Sequence, residues 1–109
     1  MPLLRLQRVL GGRTAHEVER WLWNFLTSHA KRVNPRIEVT LEAGDERAEQ
    51  SYGARLGLAT RVSAVVEFEF SEVAANRGSL AWCAALAERT QRLARELAAG
   101  QGAADARAR

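Results

Sequence analysis

The chain has 109 residues, 47% of them apolar and 27% charged, with a net charge of +3, two histidines and one cysteine. That is one domain's worth of chain, with enough apolar mass to bury a core without metals or disulfides. No apolar run approaches the ~20 residues of a membrane helix. The single Cys83 excludes an internal disulfide or a cysteine metal cluster. Arg5 and Arg8 interrupt the apolar start, so the layout of a signal peptide is missing and the expected compartment is the cytoplasm.

The first predicted element is a strand over 3–10, with Leu4, Leu6 and Leu10 on one face and Gly11-Gly12 closing it. Thr14-Ala15-His16-Glu17 has the spacing of a capping box, which places a helix start at Thr14. Val18, Trp21, Leu22, Phe25, Leu26 and His29 then repeat at three and four, and Asn34-Pro35 ends the helix near Val33. Residues 37–42 alternate, with Ile37, Val39 and Leu41 inward and Glu38, Thr40 and Glu42 outward, as in a half-buried strand. A polar connector, 43–50, follows. Residues 52–58 alternate as well, but Gly53 and Gly57 weaken them, leaving open whether they form a strand of their own. Residues 62–70 carry the strongest strand pattern, with Val62, Ala64, Val66, Phe68 and Phe70 on one side. A second helix spans 79–99, with Leu80, Cys83, Leu86, Ala87, Thr90, Leu93, Ala94 and Leu97 along one face and Gly100 beyond it. Residues 101–109 lack any large apolar side chain and read as a mobile tail.

The expected fold is therefore a single α+β domain over 1–100, a two-layer sandwich of order β-α-β-(β)-β-α. An antiparallel sheet of three or four strands carries two helices on one face. Charge follows the same division. Residues 1–36 hold seven Lys/Arg and two Glu, residues 37–73 three Arg and eight acids, and residues 74–109 six Arg and three acids. A basic helical layer beside an acidic sheet suits self-association through complementary patches, and a nucleic-acid binder ordinarily carries a more one-sided surplus.

No catalytic constellation converges in the sequence. His16 and His29 lie thirteen positions apart on one helix, too far to share a metal, and Cys83 falls on an apolar face. No metal or cofactor is implied. Trp23 is rotated about 200° from the core-facing Trp21, and Trp82 is off the stripe of Cys83 and Leu86. Exposed tryptophans suggest a partner surface, with Arg20 beside Trp23 and Arg89 beside Trp82. Arg89, Arg92 and Arg95 form a basic edge, interleaved with Glu88 and Glu96, to which Arg20, Lys31 and Arg32 can add.

Two family resemblances bear on function. Pro2, which methionine removal would expose, and Gly12-Arg13-Thr14 at a strand-to-helix junction look like the opening of the tautomerase superfamily. That likeness implies Pro2 as general base and Arg13 as carboxylate ligand, while the family's closing strand after the second helix has no counterpart here. The β-α-β-β-β-α order, with Cys83-Ala84-Ala85-Leu86 and Arg92-Leu93-Ala94-Arg95-Glu96-Leu97 in the last helix, resembles the ribosome hibernation factors. That likeness implies helices whose basic residues contact ribosomal RNA. The residues themselves favour a non-catalytic interaction or assembly module, a homo-oligomer or the partner of another protein, with RNA the less favoured partner and no membrane contact.

Overall fold

The computed structural model describes residues 2–42 and 50–100, with side chains of the first helix from His16 onward. Its elements are α1 (Pro2–Val33), β1 (Glu38–Glu42), β2 (Ser51–Leu58), β3 (Arg61–Val62), β4 (Val66–Glu69), α2 (Phe70–Asn76) and α3 (Leu80–Ala98). The α+β architecture stands. Four antiparallel strands form one sheet, and α1 and α3 pack against it.

The first element differs from the sequence expectation. Residues 3–10 are helical and continuous with the expected helix, so α1 starts at Pro2 and the order begins with a helix. Proline suits the first helical position, where no amide is needed, and the Leu, Arg and Gln that follow are good helix formers with only Val9 β-branched. Gly11 and Gly12 cost a helix interior about 1 kcal/mol each without breaking it. Thr14, expected as the cap, is an interior position, and the strand-to-helix junction needed for the tautomerase likeness falls inside α1. The side chains of Pro2 and Arg13, like the connector residues 43–49 and the tail 101–109, lie outside the described residues.

The weakest strand of the sequence is the centre of the sheet. β2 pairs with β1 along one side and with β3 and β4 along the other. Its Tyr52, Ala54, Leu56 and Leu58 point into the core, while Gly53, Arg55 and Gly57 face the opposite side. A central strand gains hydrogen bonds on both edges, which outweighs the entropic cost of two glycines.

The strongest strand of the sequence is broken. Leu56 lies opposite Ser63, joined by Ser63 N–H to the Leu56 carbonyl at 2.8 Å, whereas Ala54 lies opposite Val66. Two residues, Ala64 and Val65, therefore stand against Arg55 alone, which is a β-bulge. The Ser63 hydroxyl occupies it, accepting from the Leu56 amide at 3.0 Å and donating to the Ala64 carbonyl at 2.9 Å. The bulge reverses the parity of the strand. Ser63 is buried and Val62 and Ala64 are exposed, although the alternation had placed both inward with Phe68. Phe70, the expected end of that strand, starts α2 instead.

The core lies between the helices and the sheet. Val18, Leu22, Leu26 and Ala30 of α1 and Leu86, Ala94 and Leu97 of α3 meet Ile37, Val39, Tyr52, Ala54, Leu56 and Phe68. α3 begins as expected, its Ser79 side chain capping the Trp82 amide at 3.2 Å. Leu80, expected on its apolar face, is instead 88% exposed.

Candidate interaction surface

Helical spacing divides the side chains of α1 among three directions. Val18, Leu22 and Leu26 take the sheet, Trp21, Phe25 and His29 turn toward α3, and Trp23 turns to the opposite flank. On the α3 side the rings form a ladder. Trp82 stacks on Trp21 with centroids 6.3 Å apart, Trp21 on Phe25 at 5.1 Å, and Phe25 on His29 at 4.5 Å. All four rings are half-buried, so the ladder is both an α1–α3 contact and part of the outer surface. Gln91 Nε2 and His29 Nδ1 lie 3.4 Å apart beyond its end. Burial, with a smaller contribution from Arg32, holds the His29 pKa below its ordinary value of 6.5.

The expected partner residues fall in two places. Trp23 is 41% exposed, yet its indole N–H donates to the Val39 carbonyl of β1 at 2.9 Å. Beside it, His16, Glu19, Arg20 and Thr40 border a shallow groove along β1. Arg20 Nη2 lies 3.5 Å from His16 Nε2. Trp82 and Arg89 instead line a depression with Glu67, Phe68 and Glu72, where the Trp82 indole N–H faces Glu72 Oε2 at 3.4 Å. Trp23 with Arg20 and Trp82 with Arg89 thus sit on opposite flanks of α1, and the four do not make one patch. The sequence reading missed the ladder, although Trp21, Phe25 and His29 at successive fourth positions were the signal for it.

Cys83 and the buried Tyr52 take structural places. Cys83 is half-buried, with its thiol 3.4 Å from the Arg77 carbonyl. Among the described residues no cluster of three or more His, Cys, Asp or Glu could hold a metal. Tyr52, 2% exposed, is held protonated by burial and by the negative charge of Glu19, which push its pKa up to about 12. That phenol is no general base near neutrality.

Charge is sorted by layer. Arg20, Lys31 and Arg32 on α1 and Arg89, Arg92 and Arg95 on α3 are exposed, against Glu17, Glu19, Glu88 and Glu96 on the same helices. On the strands, Glu38, Glu42, Glu67 and Glu69 are exposed, Glu67 at the β4 edge beside α3, and Arg55 pairs with Glu42 at 3.5 Å. No described helix is long and apolar enough to cross a membrane. Comparison with protein-family models, with curated proteins and with solved structures gave no match.

Proposed function

We propose that this chain is a non-catalytic binding module whose helix layer docks RNA. The observation that carries the reading is the sorting of charge. Six exposed cations lie on α1 and α3 around half-buried aromatic rings, outnumbering Glu17, Glu19, Glu88 and Glu96 on the same helices, whereas acids outnumber arginines on the strands. Such a molecule orients in the field of a polyanion with its helices forward, where guanidinium and ammonium groups displace counterions. The observed order, α-β-β-β-β-α-α, departs from that of the hibernation factors, and only the basic residues of the last helix keep to that likeness. The test is fluorescence anisotropy with a short labelled RNA duplex, followed by sedimentation with ribosomes. Four to six phosphate contacts imply a log–log salt slope of roughly −3 to −5. Replacing Lys31, Arg32, Arg92 and Arg95 by glutamine should flatten that slope by about 3. No anisotropy change at low salt would sink the reading.

A second reading, self-association, draws on the other half of the same observation. The acidic sheet face of one copy complements the basic helix layer of another, a heterologous contact. Light scattering at high protein concentration separates the two. A monomer that binds RNA supports the first reading, and a salt-sensitive oligomer that Glu67→Gln with Glu69→Gln disperses supports the second.

A further inference from the structure

Between α3 and the β4 side of the sheet lies a cleft of about 260 Å³ whose floor reaches the core. Its walls are apolar: Leu26 of α1, Ala54 and Leu56 of β2, Phe68 of β4, and Leu86 and Leu93 of α3. Ala54 is small, so the space above the central strand is left unfilled. The Thr90 hydroxyl in the wall donates to the Leu86 carbonyl at 2.7 Å and makes no further demand on an occupant. Arg89 and Arg92, one turn apart on α3, stand at the mouth, and neither pairs with a described acid. Glu96 lies further along the rim, and Glu67 and Glu72 border the adjoining depression beside Arg89.

We infer that this cleft binds a medium-chain aliphatic carboxylate, its chain in the apolar trough and its headgroup on Arg89 and Arg92. The volume corresponds to roughly eight or nine water-sized units, which matches a chain of about eight carbons and falls just short of a drug-sized pocket. A guanidinium pair recognises a planar carboxylate through paired N–H donors. A phosphate without a chain would leave the trough empty.

Calorimetric titration with a saturated carboxylate series tests this, with 1-octanol as the uncharged probe. The expected result is one site per chain. Affinity should rise about fourfold per added methylene until the trough is full and then level off. Arg89→Gln with Arg92→Gln should weaken octanoate roughly tenfold and octanol less than about twofold. Leu93→Trp, which fills the mouth from a half-buried position, should abolish both while the circular dichroism spectrum is unchanged. Lys31→Gln with Arg32→Gln should weaken RNA and leave octanoate untouched, so this inference and the RNA reading fail separately. No saturable octanoate binding, affinity that climbs without levelling, or indifference to Leu93→Trp in a folded variant would each overturn it.

Discussion

The two flanks of the sheet are finished differently. Along β1, α1 lies close enough for the Trp23 indole to reach across and take the Val39 carbonyl, so a side chain occupies a strand edge that would otherwise offer its backbone to another chain. Along β4, α3 stands off and leaves the cleft beneath Leu93 and Arg89. The same sheet thus has a sealed side, where Val18, Leu22 and Ile37 are wholly buried, and an open side, where Val66 and Leu93 are only half-buried. The sealed flank holds the fold together, and the open flank is free to hold something else.

The largest effect expected from that contrast is on stability. Leu22→Ala, on the sealed side, should cost about 2–5 kcal/mol in urea denaturation. Leu93→Ala, at the open cleft, should cost about 1 kcal/mol, since little surface is newly exposed. Equal costs would mean that the cleft is packed in solution and the two flanks do not differ.

Tyr52 sharpens the contrast from the core outward. It is the only tyrosine, so its phenolate absorbance titrates a single group. Its folded pKa of about 12 lies above the ordinary 10, so the protonated form is favoured by folding. The stabilisation is full below pH 10 and is lost as the pH rises through 12, at most roughly 2–3 kcal/mol. The native midpoint should lie near 12 and move to about 10 in denaturant.

A smaller effect is expected at the seal itself. Trp23→Phe keeps a ring but removes the N–H that Val39 accepts, which should cost about 1 kcal/mol in thermal denaturation and raise the tendency of β1 to pair with another chain, read by light scattering. The smallest concerns His29. Its folded pKa lies below 6.5, so the unfolded chain protonates more readily. Stability present above pH 6.5 should decline as the pH falls through the folded value, and His29→Gln should remove that slope in a pH series of denaturation midpoints.

Much of this was legible in the residues. The stripe from Val18 to Leu26, the strand at β1 and the helix that Ser79 caps all follow from local spacing. Trp23 was legible as an exposed ring, because two positions along a helix is about 200° of rotation. The partner of its indole was not, since Val39 is sixteen residues away and meets it only through packing. The cleft was not legible either. It exists because small Ala54 sits on the central strand beneath two larger neighbours on different elements, and no window of sequence contains that arrangement.

The amino-acid pattern by itself determined the class of fold, the sheet-facing stripe of α1 from Val18 to Leu26 and the uneven division of charge along the chain. These depend on periodicity and composition along short stretches. Tertiary structure decided the rest. Pairing on both edges made the glycine-weakened β2 the central strand. The one-residue shift at Ser63 turned Val62 and Ala64 outward against a faultless alternation. The same leucines that read as a strand over 3–10 lie in a helix continuous with α1. In each case longer-range pairing or helix continuation overrode the local preference.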